Sequence, residues 1–230
     1  HKYNLKPALR LETSAYAYTT TRDRRRQDFG YKSLDENGQL QPKPADYTGV
    51  TWGDETIEGG AIYMRNASGN RNRSFDVAGI EPRIKYEFAV GKTLHDFTSG
   101  VRYVFERAFE QRINGSKADA SSGTLAEDEI RTGSGWCTLP HDKIILRKFI
   151  TVTGGIRVEY YDYERDIRRG KFTIDGVSTT RDTMVVASND VTALIPGIGF
   201  NLSVTNNLNV FGGVHRGFAP PRIKDAISSA

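Results

Sequence analysis

Charged side chains recur at every second position in several stretches of this chain, and they hold most of its capacity for chemistry. Arg10 and Glu12, Lys85, Arg102 and Glu106, and Arg157 and Glu159 each stand among alternating neighbours. Facing lipid, an Arg or Lys costs roughly 2–4 kcal/mol at the bilayer midplane. Lining a wet interior, the same residues can hold and pass an anion. Catalytic arrangements are not found. His1, His95, His141 and His215 lie far apart, without the H-x-x-x-H or H-E-x-x-H spacing of a metal helix. Gly133-Ser134-Gly135 is too short for a nucleophile elbow. Gly197-x-Gly199 sits inside an alternating stretch, where glycine marks backbone curvature. Asp28-Phe29-Gly30 has nothing kinase-like around it. Glu127-Asp128-Glu129 could attract a cation, but acids grouped at a loop end are normally solvated. A single cysteine, Cys137, leaves no intrachain disulfide and no cysteine-based metal site. The expectation is a protein that is not an enzyme and carries no metal site and no cofactor.

The elements that must position these charges are strands. Leu5 to Tyr18 alternates between Leu5, Pro7, Leu9, Leu11 on one side and Lys6, Arg10, Glu12, Tyr16 on the other, which is period two. Ser74 to Val90 puts Ile80, Pro82, Ile84, Tyr86, Phe88 and Val90 opposite Glu81, Arg83, Lys85 and Glu87. Thr93 to Arg112 returns after a tight turn at Gly91-Lys92. Ile130 to Leu146 alternates poorly and contains Pro140. Phe149 to Arg168 is the clearest: Ile150, Val152, Ile156, Val158 and Tyr160 predict a lipid face, and Thr151, Thr153, Arg157, Glu159 and Tyr161 a lumen face. Asp190 to Val204 and a final stretch after Asn206-Asn207 complete about seven strands, the last stopped by the double proline Pro220-Pro221.

Long and short connections alternate. The polar segments Gln27 to Asn72, Ile113 to Glu129 and Arg169 to Ser188 read as long loops on one end, and the tight turns share the other. Each strand alternates for roughly 14 to 20 residues, far beyond the 5–6 typical of a sandwich and more than the 9–11 that cross a bilayer at a tilt. Short turns at one end and long loops at the other are the asymmetry of an outer-membrane barrel. Tyr103, Phe105, Tyr160, Tyr161 and Tyr163 cluster where an aromatic girdle belongs. The fold class is all-β: an antiparallel meander of long strands, part of a transmembrane β-barrel wall not closed by itself.

Bulk properties agree. Mean hydropathy is −0.52 and no apolar run could form a transmembrane helix. A barrel hides its apolar residues at alternate positions, so such an average does not exclude it. The 32 basic and 28 acidic residues leave a net charge of +4. That mild excess suits an anionic ligand and is not the concentrated footprint of a nucleic-acid binder.

The stretch NLNVFGGVHRGFAPPRIKD, Asn207 to Asp225, closely resembles a stretch of the TonB-dependent outer-membrane receptors, in the branch related to ferric dicitrate receptors. TVTGGIRVEYYDYERDI, NDVTALIPGIGFNL and NLNVFGGVHRGFAPPRIKDAI look like consecutive strands of such a receptor, and SGVRYVFERAFEQR is similar to the upstroke before them. The match departs at Gly135-Trp136-Cys137-Thr138-Leu139-Pro140, where a regular strand would stand. The resemblance implies a barrel of about 22 strands with a plugged lumen. Residues 1–230 are then expected to be one partial barrel domain, an internal piece of the wall cut in a loop after Asp225, with the plug domain and the remaining strands lying elsewhere. It further implies the outer membrane of a Gram-negative bacterium, contact with its lipid, ferric citrate or a siderophore as ligand, and energy from the TonB complex through the plug. Arginine holds carboxylates bidentately and keeps its charge, so Arg112, Arg216 and Arg222 are the expected ligand contacts. Arg102, Glu106, Arg157 and Glu159 are expected to face the lumen. A passive porin, or a soluble β-domain binding an anionic or carbohydrate ligand, is the alternative.

Overall fold

The computed structural model describes residues 1–31, 34–147 and 149–220. They form one antiparallel sheet of eleven strands. In chain order these are β1 (Lys2–Lys6), β2 (Leu9–Arg24), β3 (Gln27–Tyr31), β4 (Tyr47–Gly53), β5 (Ala61–Val90), β6 (Thr93–Gly115), β7 (Thr124–Thr138), β8 (His141–Arg147), β9 (Ile150–Ile174), β10 (Val177–Thr205) and β11 (Leu208–His215). The wall runs β1-β2-β5-β6-β7-β9-β10-β11, and its end strands do not meet. No helix occurs among the described residues. Tyr16 on β2 and Tyr163 on β9 line one cavity with Pro220. A flat sheet would hold those strands well apart, so the sheet curls.

Three expectations about the strands need correction. The alternation from Leu5 to Tyr18 crosses a turn at Pro7-Ala8, which separates β1 from β2. A two-residue turn preserves period two, so the pattern continues as if nothing had happened. Ile130 to Leu146 is two strands, β7 and β8, broken at Leu139-Pro140 because proline has no N–H for the ladder. Both pieces lie between β6 and β9 and together fill one place in the wall. The three long polar loops are mostly strand. β5 starts at Ala61 and runs for 30 residues, with β3 and β4 beside its upper end. β6 and β7 are joined through 116–123 alone. Arg169 to Ser188 is a hairpin closed by Asp175-Gly176, with φ of 48° and 78°.

Two positive φ values in succession match a type I′ turn, whose twist fits a hairpin. Gly176→Val places a β-branched side chain where the left-handed conformation costs roughly 1–2 kcal/mol. Faster amide exchange confined to the hairpin tip is the expected result, with the unfolding midpoint of the remaining wall unchanged. An unchanged tip would show that the turn tolerates the strain.

Side-chain parity divides the two faces. Ile156, Tyr160, Leu194, Ile198 and Phe200 are exposed on the outer one. Directly paired residues share a face, and Tyr103, Trp136 and Tyr160 fall on one rung, with the Tyr103 and Trp136 rings 4.5 Å apart. Above that row the outward positions turn charged: Arg107, Asp162 and Asp190. Near the short turns lies a second aromatic group, Tyr86, Phe88 and Phe97. An apolar band between two aromatic rows is the outer surface of a membrane barrel. Tyr161 and Tyr163 have the opposite parity and stack on each other on the inner face, so they do not join the girdle. Trp136 takes their place: Gly135 to Thr138, where the sequence departs from the family's pattern, continue the regular ladder of β7, and only Leu139-Pro140 break it.

Candidate functional site

The inner face is charged from end to end. Near the short turns, Glu12 accepts ion pairs from Arg10 and Lys85, each at 3.3 Å. Arg83 is paired with Glu81. At mid-height Arg157 pairs with Glu159, which is only 3 % exposed. The rung Arg102, Cys137, Glu159 sets those residues side by side across β6, β7 and β9. Cys137 is buried there. Glu106, four residues higher on β6, shares the face. Glycines leave room for rings on this wall: a Cβ on Gly79 would stand 2.5 Å from the Tyr16 ring, and one on Gly135 would stand 2.7 Å from that of Tyr161.

The densest cluster lies higher. Glu110 is seven positions beyond Tyr103 on β6, or about 23 Å of strand above the aromatic row. Its register places Arg73 of β5 on one side and Glu129 of β7 on the other. Arg73 Nη2 donates to Glu110 Oε1 at 2.7 Å, Arg71 Nη1 donates to the same oxygen at 3.2 Å, and Arg131 holds the other oxygen. Glu129 accepts from Arg165 Nε and Nη2, both at 2.7 Å. Two neighbouring carboxylates, 5 % and 7 % exposed, would repel one another without those guanidiniums. Burial raises the Glu110 carboxyl pKa. The hydrogen bond from Arg73 and the charges of Arg131, Arg73 and Arg71 outweigh burial, so the net shift is below the usual carboxylate value.

Arg112 sits one position along the inner face from Glu110 and donates to Glu127 at 3.3 Å and to Asn114 at 3.2 Å. Arg22 and Arg24 lie on the rungs of Arg73 and Arg71 and carry no ion pair among the described residues. Seven arginines thus share this zone with Glu110, Glu127 and Glu129, an excess of four positive charges. Glu127 and Glu129 of the acidic triplet are taken up by arginines rather than left open to a cation.

The sequence-derived ligand residues do not converge. Arg112 belongs to this upper cluster. Arg216 lies lower, just past the end of β11, where its backbone N–H donates to Pro196 O at 3.1 Å and its Nη1 to Leu194 O at 3.2 Å. Arg222 lies outside the described residues. Arg71, Arg73, Glu110, Arg131 and Arg165 were not singled out from the sequence. The one signal available was a charge of matching parity on neighbouring strands, which needs the register to be read.

Residues 2–230 match the family model described as TonB dependent receptor-like, beta-barrel. The chain belongs to that family. The receptor domain is similar in fold to the unliganded ferric citrate transporter FecA, with a TM-score of 0.64 and 16 % identity over 93 % of this chain and 25 % of that one. It is likewise similar to the open form of the ferric-catecholate import receptor Fiu of E. coli K12, with a TM-score of 0.65 and 16 % identity over 96 % of this chain and 34 % of that one. No curated protein sequence matches. The receptor domain therefore spans between a quarter and about a third of the solved receptors it matches.

Proposed function

We propose that this domain is part of the wall of an outer-membrane TonB-dependent transporter, in a Gram-negative bacterium, that binds and imports ferric chelates of the ferric citrate or siderophore type. The observation that carries the reading is the upper cluster, where seven arginines share the inner face above the aromatic row with three glutamates, five of the arginines being ion-paired to these acids. The inner face is the lumen in this reading, and the cluster lies at the mouth. Excess positive charge in a concave, low-dielectric wall concentrates anions. The guanidinium fork binds carboxylate and other oxygen-rich chelates in a fixed geometry. Glu110 and Glu129 hold Arg71, Arg73, Arg131 and Arg165 in place, so at these four the ligand meets a preorganised surface rather than loose side chains. The iron chelate is cargo, and the TonB complex supplies the energy through a plug domain of the whole receptor. The likeness to FecA and Fiu supports the fold of such a transporter, and the arginine excess supports an anionic cargo.

Uptake of iron-55 as ferric citrate by cells whose only such receptor is the full-length protein tests this. Uptake that disappears when TonB is deleted is expected. Arg73→Gln and Arg112→Ala should weaken ferric citrate binding about ten- to a hundredfold, the effect of losing a charge-assisted hydrogen bond. Arg222→Ala belongs in the same series. Uptake that persists without TonB would point to a passive channel instead. Full binding in all three variants would remove these arginines from the site.

A further inference from the structure

The segment between β3 and β4 is fastened to the top of β5 by its own lysine. Lys43 stands between Pro42 and Pro44. Pro44 confines the residue before it to extended backbone, and the φ of Pro42 is fixed by its ring, so the lysine is presented on a stiff stretch of chain. Its Nζ lies 4.9 Å from the centroid of the Tyr47 ring and 5.4 Å from that of Tyr63. The two rings are 5.7 Å apart and meet edge to face at 77°. Glu55 completes the recess, with its Oε1 3.1 Å from the ammonium. The Lys43 side chain is 42 % exposed, so a solute can reach this recess from outside.

The groups that receive the ammonium are themselves held in place. Tyr63 is fully buried on β5, and Thr51 of β4 is its partner in the ladder. Thr51 Oγ1 donates to Glu55 Oε1 at 3.3 Å, so the Tyr47 hydroxyl, 2.7 Å from the same Oγ1, is the donor in its bond to Thr51. Glu55 sits in the turn after β4, where Asp54 Oδ1 accepts from the Thr56 N–H at 2.8 Å. The hydrogen bond between Lys43 and Glu55 raises the pKa of the ammonium and lowers that of the carboxyl, so both groups stay charged at neutral pH. Ring faces attract a cation within about 6 Å of the centroid, and the carboxylate takes an N–H at the same point. β4, β5 and the turn between them supply every one of these groups, so the recess is complete without any other part of the receptor.

We propose that the recess formed by Tyr47, Tyr63 and Glu55 is a binding site for a primary alkylammonium ion, and that Lys43 is its built-in occupant. The lysine is then an autoinhibitory contact. An amine from solution enters by displacing it, and residues 38–46 come away from β5 when it does. The second fastening of this segment, Arg65 Nε donating to Asp46 Oδ1 at 2.8 Å, does not involve the recess and keeps the released segment close by.

The test uses the full-length receptor, with n-butylammonium as the probe because it is the lysine side chain without its backbone. Sodium chloride and n-butanol are the ionic and neutral controls. Hydrogen exchange is followed over residues 38–47, where the Gly38 N–H donates to Asp35 O and the Tyr47 N–H to Pro44 O. A tethered ligand acts at roughly millimolar effective concentration, so the amine is added well above that. In the parent it should speed exchange in this segment, and neither control should. Lys43→Ala should exchange fast from the start and respond to no addition. Equilibrium dialysis with carbon-14 n-butylammonium should show roughly tenfold tighter binding to Lys43→Ala, because the tethered competitor is gone. Adding Tyr47→Leu and Glu55→Gln should abolish that gain. An amine that leaves the parent segment unchanged would overturn the proposal, and so would n-butanol acting as well as the amine. Fast exchange in Lys43→Ala without tighter binding would also overturn it, since Lys43 would then be a structural fastening alone. If Lys43→Ala fails to fold, the exchange of the parent with and without the amine decides the matter. None of these measurements reads iron uptake, so the ammonium site and the transport reading stand or fall separately.

Discussion

Glu110→Ala is expected to destabilise the full-length receptor by about 3 kcal/mol, the lower end of what breaking a buried ion pair costs. Three guanidiniums converge on this carboxylate, and their side chains are 37 %, 28 % and 16 % exposed for Arg71, Arg73 and Arg131. Arg71 and Arg73 can regain water when the acid is removed. Arg131 retains Glu129, already shared with Arg165, so the effect stays at the low end. Urea unfolding of the receptor refolded into vesicles measures it. A loss under about 0.5 kcal/mol would place the cluster among ordinary surface pairs. Glu110→Gln keeps the shape without the charge and separates packing from electrostatics.

The pH dependence has a definite sign. The folded-state pKa of Glu110 is lowered from its ordinary value of 4.5. A lowered pKa means the native state favours the charged carboxylate, so the contribution is complete above the unfolded value and is lost as pH falls through the folded one. The parent receptor should lose stability below about pH 4.5, and Glu110→Gln should lose less over the same window. Equal acid sensitivity would show that other carboxylates dominate.

Side-chain parity was legible in the sequence wherever one face had to be apolar. Ile156, Val158 and Tyr160 against Arg157 and Glu159 followed from period two, and the structure keeps both sets on opposite faces. The turns at Gly91-Lys92 and Asn206-Asn207 were legible for the same reason, since alternation restarts across them. Beyond the apolar band the signal vanishes. Asn70, Arg71 and Asn72 lie in β5, where both faces are polar and no apolar residue alternates to mark the strand. Polarity there was misread as loop. The Asp175-Gly176 dipeptide was a hairpin signal, hidden because the alternation of Phe172 and Ile174 before it is short and lapses after it in Ser178-Thr179-Thr180. The Arg73–Glu110–Glu129 cluster was illegible for a different reason. Its members lie on three strands, far apart in sequence, and only the register brings them to one height.

Ile156→Arg is expected to cost roughly 2–4 kcal/mol in the bilayer, and Val158→Arg less. Both project from the outer face of β9. Ile156 pairs with Pro196 and Val158 with Leu194. Tyr160 marks the upper aromatic row, two residues above Val158 and four above Ile156. The lower limit is the turn before Ile150. A span from Ile150 to Tyr160 matches the 9–11 residues that a tilted strand needs to cross the hydrocarbon. Ile156 is therefore close to the midplane, whereas Val158 can let an arginine snorkel to the headgroups. Thr153→Lys serves as the control, because Thr153 faces inward on the same strand and its new charge would meet water. Folding of the full-length receptor into vesicles, followed by urea unfolding, gives the three values. The expected order of damage is Ile156→Arg, then Val158→Arg, then Thr153→Lys. A large cost for Thr153→Lys beside a harmless Ile156→Arg would mean that the two faces are reversed. Equal costs for the two arginines would mean that the band is centred higher on β9 than the Tyr103, Trp136, Tyr160 row implies.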